Sequence, residues 1–501
     1  MSAVLPLLGA GAAVLLLGLG LRGGVPREAD PQASAPTPLL AAQAVPPAPS
    51  EPLAQSAANR ARVSVKNFGA RGDGKADDTA ALNRAAAGAA GRDLVFPAGT
   101  YLIRGPVVFT GYRGQTVFGE EGATIQAAGD YRRGREDGML HFQQPRDVTV
   151  RDLKIVGNRD PEANPYAVFI DGLRIAGGKN VTVSGVTVLN APTIGIAVVD
   201  SDTVTLRGNR LEAAGGAGGW SQRTVRQRWL NNTVIGFGDP AGRLKAGLGL
   251  FATIGDDFLA EGNTIRNVAN TATKTEGVSN VVYRNNTVDV FGKDGIKVMP
   301  YPGHSTSVRG AVIEGNTVRA RRGWASDGSA YILLHAVTGG RVRGNRIEGT
   351  GGTPEVWAED AIKVNAWGGT PSRDILIENN EARNTRRGLR IEADGATVRG
   401  NTITGTLPWT RSGVIVGAHG VTVADNLIAG AAIGVLIDRG MGRTQVEDNR
   451  FDRVETAVYA DNGNADVTVS RNRFGPDVQQ AVAGAVRGEC NFYNSTQCRS
   501  P

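Results

Sequence analysis

Aromatic side chains are scarce in this sequence: Phe, Trp and Tyr together supply 6% of its 501 residues. Cysteine occurs twice and histidine four times. No Cys/His spacing matches a zinc site. No basic run is interleaved with aromatics, which argues against a nucleic-acid-binding surface. What is abundant is glycine, at 69 residues. A glycine-rich chain dense in turns and short strand-like runs points to all-β repeats, not to a helical or doubly wound fold. The formal charge is +7 and the pI about 9.5. That balance favours anionic partners, and with nucleic acid set aside it leaves acidic polysaccharide or a membrane surface. The two cysteines, Cys490 and Cys498, lie close together, and a bridged loop there would fit an oxidising compartment.

The chain opens on an apolar run, Ala3 to Leu21, that contains no charged side chain. Residues 1–24 are expected to be a signal peptide or a membrane anchor, since nineteen apolar residues suffice for either. Residues 25–62, rich in Pro and Ala, read as a linker. The folded domain is expected over 63–486, with 487–501 as a C-terminal cap around CNFYNSTQC. The protein is expected to be secreted or periplasmic and monomeric, with membrane contact only through the N-terminal segment.

A strand, a Gly-rich loop and a short helix follow from VSVKNFGARGDGKADDTAALNRA, where Asp77, Asp78 and Thr79 supply capping and favourable dipole charge. LVFPAGTYLI then gives strand, turn and strand. Beyond it a block V-x-V-x-x-N-x-I/V recurs, with Asn at 209, 232, 263, 286, 316, 345, 380, 401, 426, 449 and 472. Leu153 and Val186 hold the same place in two earlier blocks. The commonest spacing is 23 residues, one solenoid coil per repeat. Asn suits the tight turn between strands because it tolerates the left-handed conformation, and stacked coils would place these side chains in a ladder. At about 4.8 Å per coil, thirteen coils would make a rod of roughly 60 Å.

The stretch NFGARGDGKADDTAALNRA followed by VFPAGTYLI resembles the N-terminal signature of the pectate lyase/pectin lyase superfamily, also seen in tailspikes and polygalacturonase-like proteins. That resemblance implies an all-β fold: a single-stranded right-handed parallel β-helix, capped by the short helix. It does not specify a reaction, because such folds carry lyases, hydrolases, epimerases and binders.

The candidate site lies between Asp294 and Arg390. DGIKV, YILLH, DAIKV and GLRIE each alternate with the period of a strand. If Ile296, Val298, Ile332, Leu334, Ile362, Val364, Leu389 and Ile391 face inward, then Lys297, His335, Lys363, Asn365, Arg390 and Glu392 face outward. Long repeats cluster on these coils, and insertions in a solenoid become loops that often line the binding face. A row Lys297, Lys363 and Arg390, extended by Lys274, would hold uronate carboxylates. His335 sits between the lysines as an acid or base; His304 lies in the inserted loop YPGHSTS, and His141 and His419 are read as structural or solvated. Asp294, Asp327 and Asp360 are spaced 33 and 33, so carboxylates on neighbouring coils could hydrolyse a glycosidic bond or hold Ca2+. The alternative is turn capping, since DGLRI at Asp171 repeats the dipeptide elsewhere. Tyr301, Trp324, Tyr331, Trp357 and Trp367 could stack on sugar rings.

The expected activity is β-elimination on an acidic polysaccharide. As the resemblance implies for β-helix lyases, Lys297 or Lys363 would be the base, with Arg390 on the carboxylate and His335 or Tyr331 as acid. Hydrolysis is disfavoured, because the adjacent Asp-Asp and Arg-Ile-Lys motifs of polygalacturonases are missing and GAHG only faintly matches their Gly-His-Gly. An epimerase motif is not found. A non-catalytic glycan-binding rod is the alternative from another class.

Overall fold

A computed structural model describes residues 60–499, apart from 90, 132–136, 161–169, 237–246, 321–329, 352–359, 406, 408, 465, 485, 490 and 494–497. The expected signal, most of the linker, Asp327, Trp324, Trp357 and Cys490 lie outside the described residues, and with Cys490 the expected bridge. No helix among the described residues is long and apolar enough to cross a membrane.

The chain winds into a right-handed parallel β-helix with three sheets. Sheet A stacks one strand per coil from Val107–Thr110 to Gln480–Gly484. Sheet B runs from Arg62–Ser64 to Arg487–Glu489, and sheet C from Asp73–Asp77 to Asn491–Tyr493. Every pairing between the described strands is parallel except the last, where Cys498–Arg499 runs antiparallel against Asn491–Tyr493. That reversal stops the stack, because the next edge no longer offers a parallel template. The coil stack therefore continues past residue 486 to Tyr493 before the cap begins.

The alternation in the repeat block explains the core. Val181 and Val183, or Val421 and Val423, face inward and are almost wholly buried, while the residues between them point out. At the N-terminal end the interior is aromatic: Phe109 stacks on Phe142 with centroids 4.3 Å apart, and Tyr112 meets both edge-on. The helix Thr79–Gly88 covers this end. Asp77 Oδ1 accepts the Thr79 N–H at 3.0 Å. Asp78 instead takes the Arg71 and Gly72 N–H groups at 2.7 and 3.0 Å, which ties the Gly-rich loop to the helix start.

The repeating Asn residues form the expected ladder. Each is buried, and from Asn209 to Asn472 each Nδ2 donates to Oδ1 of the Asn one coil on, the last acceptor being Asn491. The turn is made differently from the sequence expectation. The left-handed residue is the one before each ladder Asn, from Gly208 (φ 61) through Asn285 (φ 52) to Arg471 (φ 53). The ladder Asn must point its amide into the corner between sheets B and C, so the preceding residue absorbs the bend.

Candidate functional site

The eight predicted inward residues, from Ile296 to Ile391, are all fully buried. Their neighbours form rows on the outer face of sheet A. One row runs Phe251, Lys274, Lys297, Leu333, Lys363, Arg390, Ile415. The predicted cations thus share one line, interrupted once by Leu333. In the row beside it, His335 pairs with Asn365, and Glu392 follows on the next coil.

Most of these charges are neutralised locally. Asp294 is completely buried and joins three coils. Its carboxylate takes the Thr271 hydroxyl at 3.3 Å, the Ala330 N–H at 3.4 Å and Lys297 Nζ at 3.2 Å. Lys274 pairs with Glu276, and its Nζ also lies 5.0 Å from the Phe251 ring centroid. Burial pushes the Lys274 ammonium below its ordinary range, against the pull of Glu276. Arg387 holds both oxygens of Asp360, at 2.6 and 3.1 Å. Even so, burial lifts the Asp360 carboxyl above its usual range. Arg390 Nε donates to Glu392 Oε1 at 2.5 Å. Lys363, half-buried, is the one cation of the row without an ion-pair partner among the described residues.

His335 lies on the coil before Lys363 and is 8% exposed. Burial pushes its pKa down to about 4, and the charge of Lys297 adds to the effect. Its Nδ1, like the neighbouring Asn365 Oδ1, is buried without a hydrogen bond of ordinary geometry. The Trp367 ring, 38% exposed, stands 5.1 Å from the imidazole. The imidazole is therefore neutral at ordinary pH and can accept a proton, not donate one as an imidazolium acid.

One expectation is corrected. Tyr331 is 1% exposed and packs edge-on against Phe291 at 5.5 Å, inside the coil. Burial raises its hydroxyl far above the ordinary tyrosine range, so it neither stacks on a ligand nor donates a proton to one. The strand start bends at the corner with sheet C, where Tyr331 and Ile332 both face inward and the simple alternation fails. Of the acidic row, Asp327 lies outside the described residues; Ala330 stands opposite Asp360, so Asp294 and Asp360 are two coils, or about 10 Å, apart, as their sequence spacing implies, and each is held by a cation. Among the described residues no three His, Cys, Asp or Glu side chains gather as a metal site requires. Of the other histidines, His141 lies beside Arg174 on a distant coil, His304 is exposed, and His419 Nδ1 accepts the Gly442 N–H at 3.1 Å. Sequence reasoning missed Arg387 as the partner of Asp360 and Phe251 under Lys274. Both follow once strand register is known, and the outward phase of GLGLFAT was the available signal for Phe251.

Residues 62–297 match the family described as rhamnogalacturonase A/epimerase, pectate lyase-like. Residues 304–500 match one described as periplasmic copper-binding protein (NosD). The described residues do not gather a copper site: His335 is flanked by Lys297 and Lys363, His419 already accepts a backbone N–H, and no metal-binding trio gathers among them. No curated protein matches by sequence. Among solved structures, the tailspike of E. coli bacteriophage HK620, in complex with pentasaccharide, aligns with TM-score 0.58 at 12% identity, over 85% of this chain and 80% of that one. The Dettilon tailspike aligns with TM-score 0.53 at 15% identity, over 76% and 69%. Coil stack, capping helix and solved structures agree: this chain is a right-handed parallel β-helix protein, similar over residues 62–297 to the pectate-lyase-like family.

Proposed function

We propose that the protein processes an acidic, uronate-bearing polysaccharide by β-elimination, with the sugar chain lying across the outer face of sheet A. The observation that carries this reading is Lys363, without an ion-pair partner among the described residues, beside a neutral, buried His335. A uronate carboxylate supplies the missing partner of Lys363, with Arg390 one coil further on. Neutralising the carboxylate acidifies the proton on the adjacent carbon. The neutral imidazole of His335 takes that proton. The carbon–oxygen bond of the glycosidic link breaks, a carbon–carbon double bond forms, and the leaving oxygen takes a proton from the Lys297 ammonium. In this scheme the lysines hold and donate charge, and the imidazole is the base. Trp367, exposed beside His335, gives a sugar ring a face to stack on. The family model over the N-terminal half supports a glycan-directed role, and a tailspike of the same fold has been seen with a pentasaccharide. The apolar segment Ala3 to Leu21 would carry the domain out of the cytoplasm.

One observation favours a second reading, a non-catalytic glycan binder: Lys274, Lys297, Arg387 and Arg390 already have acidic partners. Incubating the purified chain with a panel of acidic polysaccharides separates the two. The panel is run with calcium and with chelator, and ultraviolet absorbance of unsaturated uronate ends is followed. A lyase produces that absorbance, and Lys363→Ala loses it. Reducing ends without absorbance mark a hydrolase, and binding without products marks the binder. Lyase activity that survives Lys363→Ala would remove this site assignment.

A further inference from the structure

The start of three sheet A strands carries one pattern, an Asp, a small residue, an apolar residue and a cation: DGLR from Asp171, DGIK from Asp294 and DAIK from Asp360. Each Asp is buried, and each cation stands in the outward row. In the first two the cation turns back to its own Asp. Arg174 donates to Asp171 at 2.9 Å and Lys297 to Asp294 at 3.2 Å. The third coil breaks the pattern. Lys363 has no ion-pair partner among the described residues, and Asp360 instead accepts from Arg387 at both oxygens.

What differs is the residue one coil on. Strand register puts Ile194 in line with Asp171, Ala330 with Asp294 and Arg387 with Asp360. Ile194 and Ala330 bring no side-chain charge, so the buried carboxylate is matched from its own strand. Arg387 brings a planar fork that meets both carboxylate oxygens, where a lysine offers a single point of charge. Asp360 therefore goes to Arg387, and Lys363 is left over. We infer that Arg387 is a positioning residue: by holding Asp360 it keeps Lys363 unpaired and available to an incoming anion. Arg387 acts through Asp360 and not on the ligand. That the anion is a uronate rests on the acidic-polysaccharide reading above; the release of Lys363 does not.

The test first reads the Lys363 amine with no ligand present. The full chain is acetylated with a limiting amount of acetic anhydride, and peptide mass spectrometry follows each lysine, with the exposed Lys66 and Lys179 as internal references. Only the neutral amine reacts, so a carboxylate partner worth one pKa unit slows acetylation about tenfold. In Arg387→Ala, Asp360 is expected to take Lys363 as Asp294 takes Lys297, and acetylation of Lys363 to slow about tenfold relative to the references. Lys363 makes up only part of what the two Arg387 bonds supplied, so Arg387→Met, which keeps the aliphatic stem, guards against misfolding and should give the same slowing. Adding Asp360→Asn to either variant should return Lys363 to its native rate. A Lys363 rate unchanged in both Arg387 variants, or a slowing that persists with Asp360→Asn, overturns the inference. Calorimetry then uses a member of the acidic-polysaccharide panel that the native chain binds. Arg387→Ala should weaken binding in the native background and change nothing further in Lys363→Ala; equal weakening in both backgrounds overturns the inference. If no member binds while Lys363 slows as expected, the polysaccharide reading falls and the role of Arg387 stands.

Discussion

Replacing Asn345 with alanine tests whether the ladder holds the coils together. Asn345 is 1% exposed. Its Nδ2 donates to Ile313 O at 2.8 Å and to Asn380 Oδ1 at 2.9 Å. Its Oδ1 accepts from Asn316 N at 3.0 Å and Asn316 Nδ2 at 2.9 Å. Alanine leaves Ile313 O, Asn316 N and one Asn316 N–H buried without a partner. At about 1–3 kcal/mol for each orphaned group, with partial rescue by water, the loss is roughly 3–6 kcal/mol. Because solenoid stability is a sum of nearest-neighbour terms, the damage should concentrate in the adjoining coils. Far-UV circular dichroism against denaturant reads the total, and amide hydrogen exchange reads its location. Asn462→Ala, at an exposed site, is the control. Asn345→Asp adds a pH signature. Burial and two facing acceptors raise that carboxyl in the folded state, so its stability is retained below the unfolded pKa of about 3.9 and lost as pH rises through the folded value. An Asn345→Ala midpoint equal to that of the control would refute the reasoning.

His335 should make the fold acid-sensitive. Its pKa is depressed to about 4 in the folded state, so the unfolded chain binds the proton first and stability falls as pH drops from about 6.5 towards 4, by about 3 kcal/mol in all. His335→Gln should flatten that limb in denaturation midpoints measured across the range; an unchanged slope counts against the burial argument. Arg387→Ala strands the Asp360 carboxylate, which is 1% exposed, and should cost about 3 kcal/mol. Arg387→Ala with Asp360→Asn should recover much of that in thermal denaturation, whereas an additive double variant would show that the pair is not coupled.

The architecture was legible because parallel coils leave two periods in the sequence, the strand alternation and the recurring Asn. The row from Lys274 to Arg390 followed from those periods alone. What alternation cannot show is pairing. Whether Lys297 or Lys363 is neutralised depends on Asp294 turning back along its own strand, three residues away. Arg387 reaches Asp360 on the preceding coil across 27 residues of chain. Alternation also fails where a strand bends, and so Tyr331 ends in the core beside Phe291. The left-handed corners were assigned one residue late for a related reason. Asn is common at such turns, but here its amide is needed inside, and the preceding Gly, Asn, Asp or Arg takes the strained conformation.

The amide links run in one direction and repeat at every step, which makes rod length an editable quantity. Excising 402–426 would remove one repeat of 25 residues, Asn426 included, and bring Asn449 into the place Asn426 held. Each surviving amide would still meet an identical neighbour, in the same orientation, and the excised coil lies beyond the cation row. A shortened protein that keeps its ligand and loses one increment of length would show that lineages can tune reach by gaining or dropping single turns, leaving the chemistry untouched.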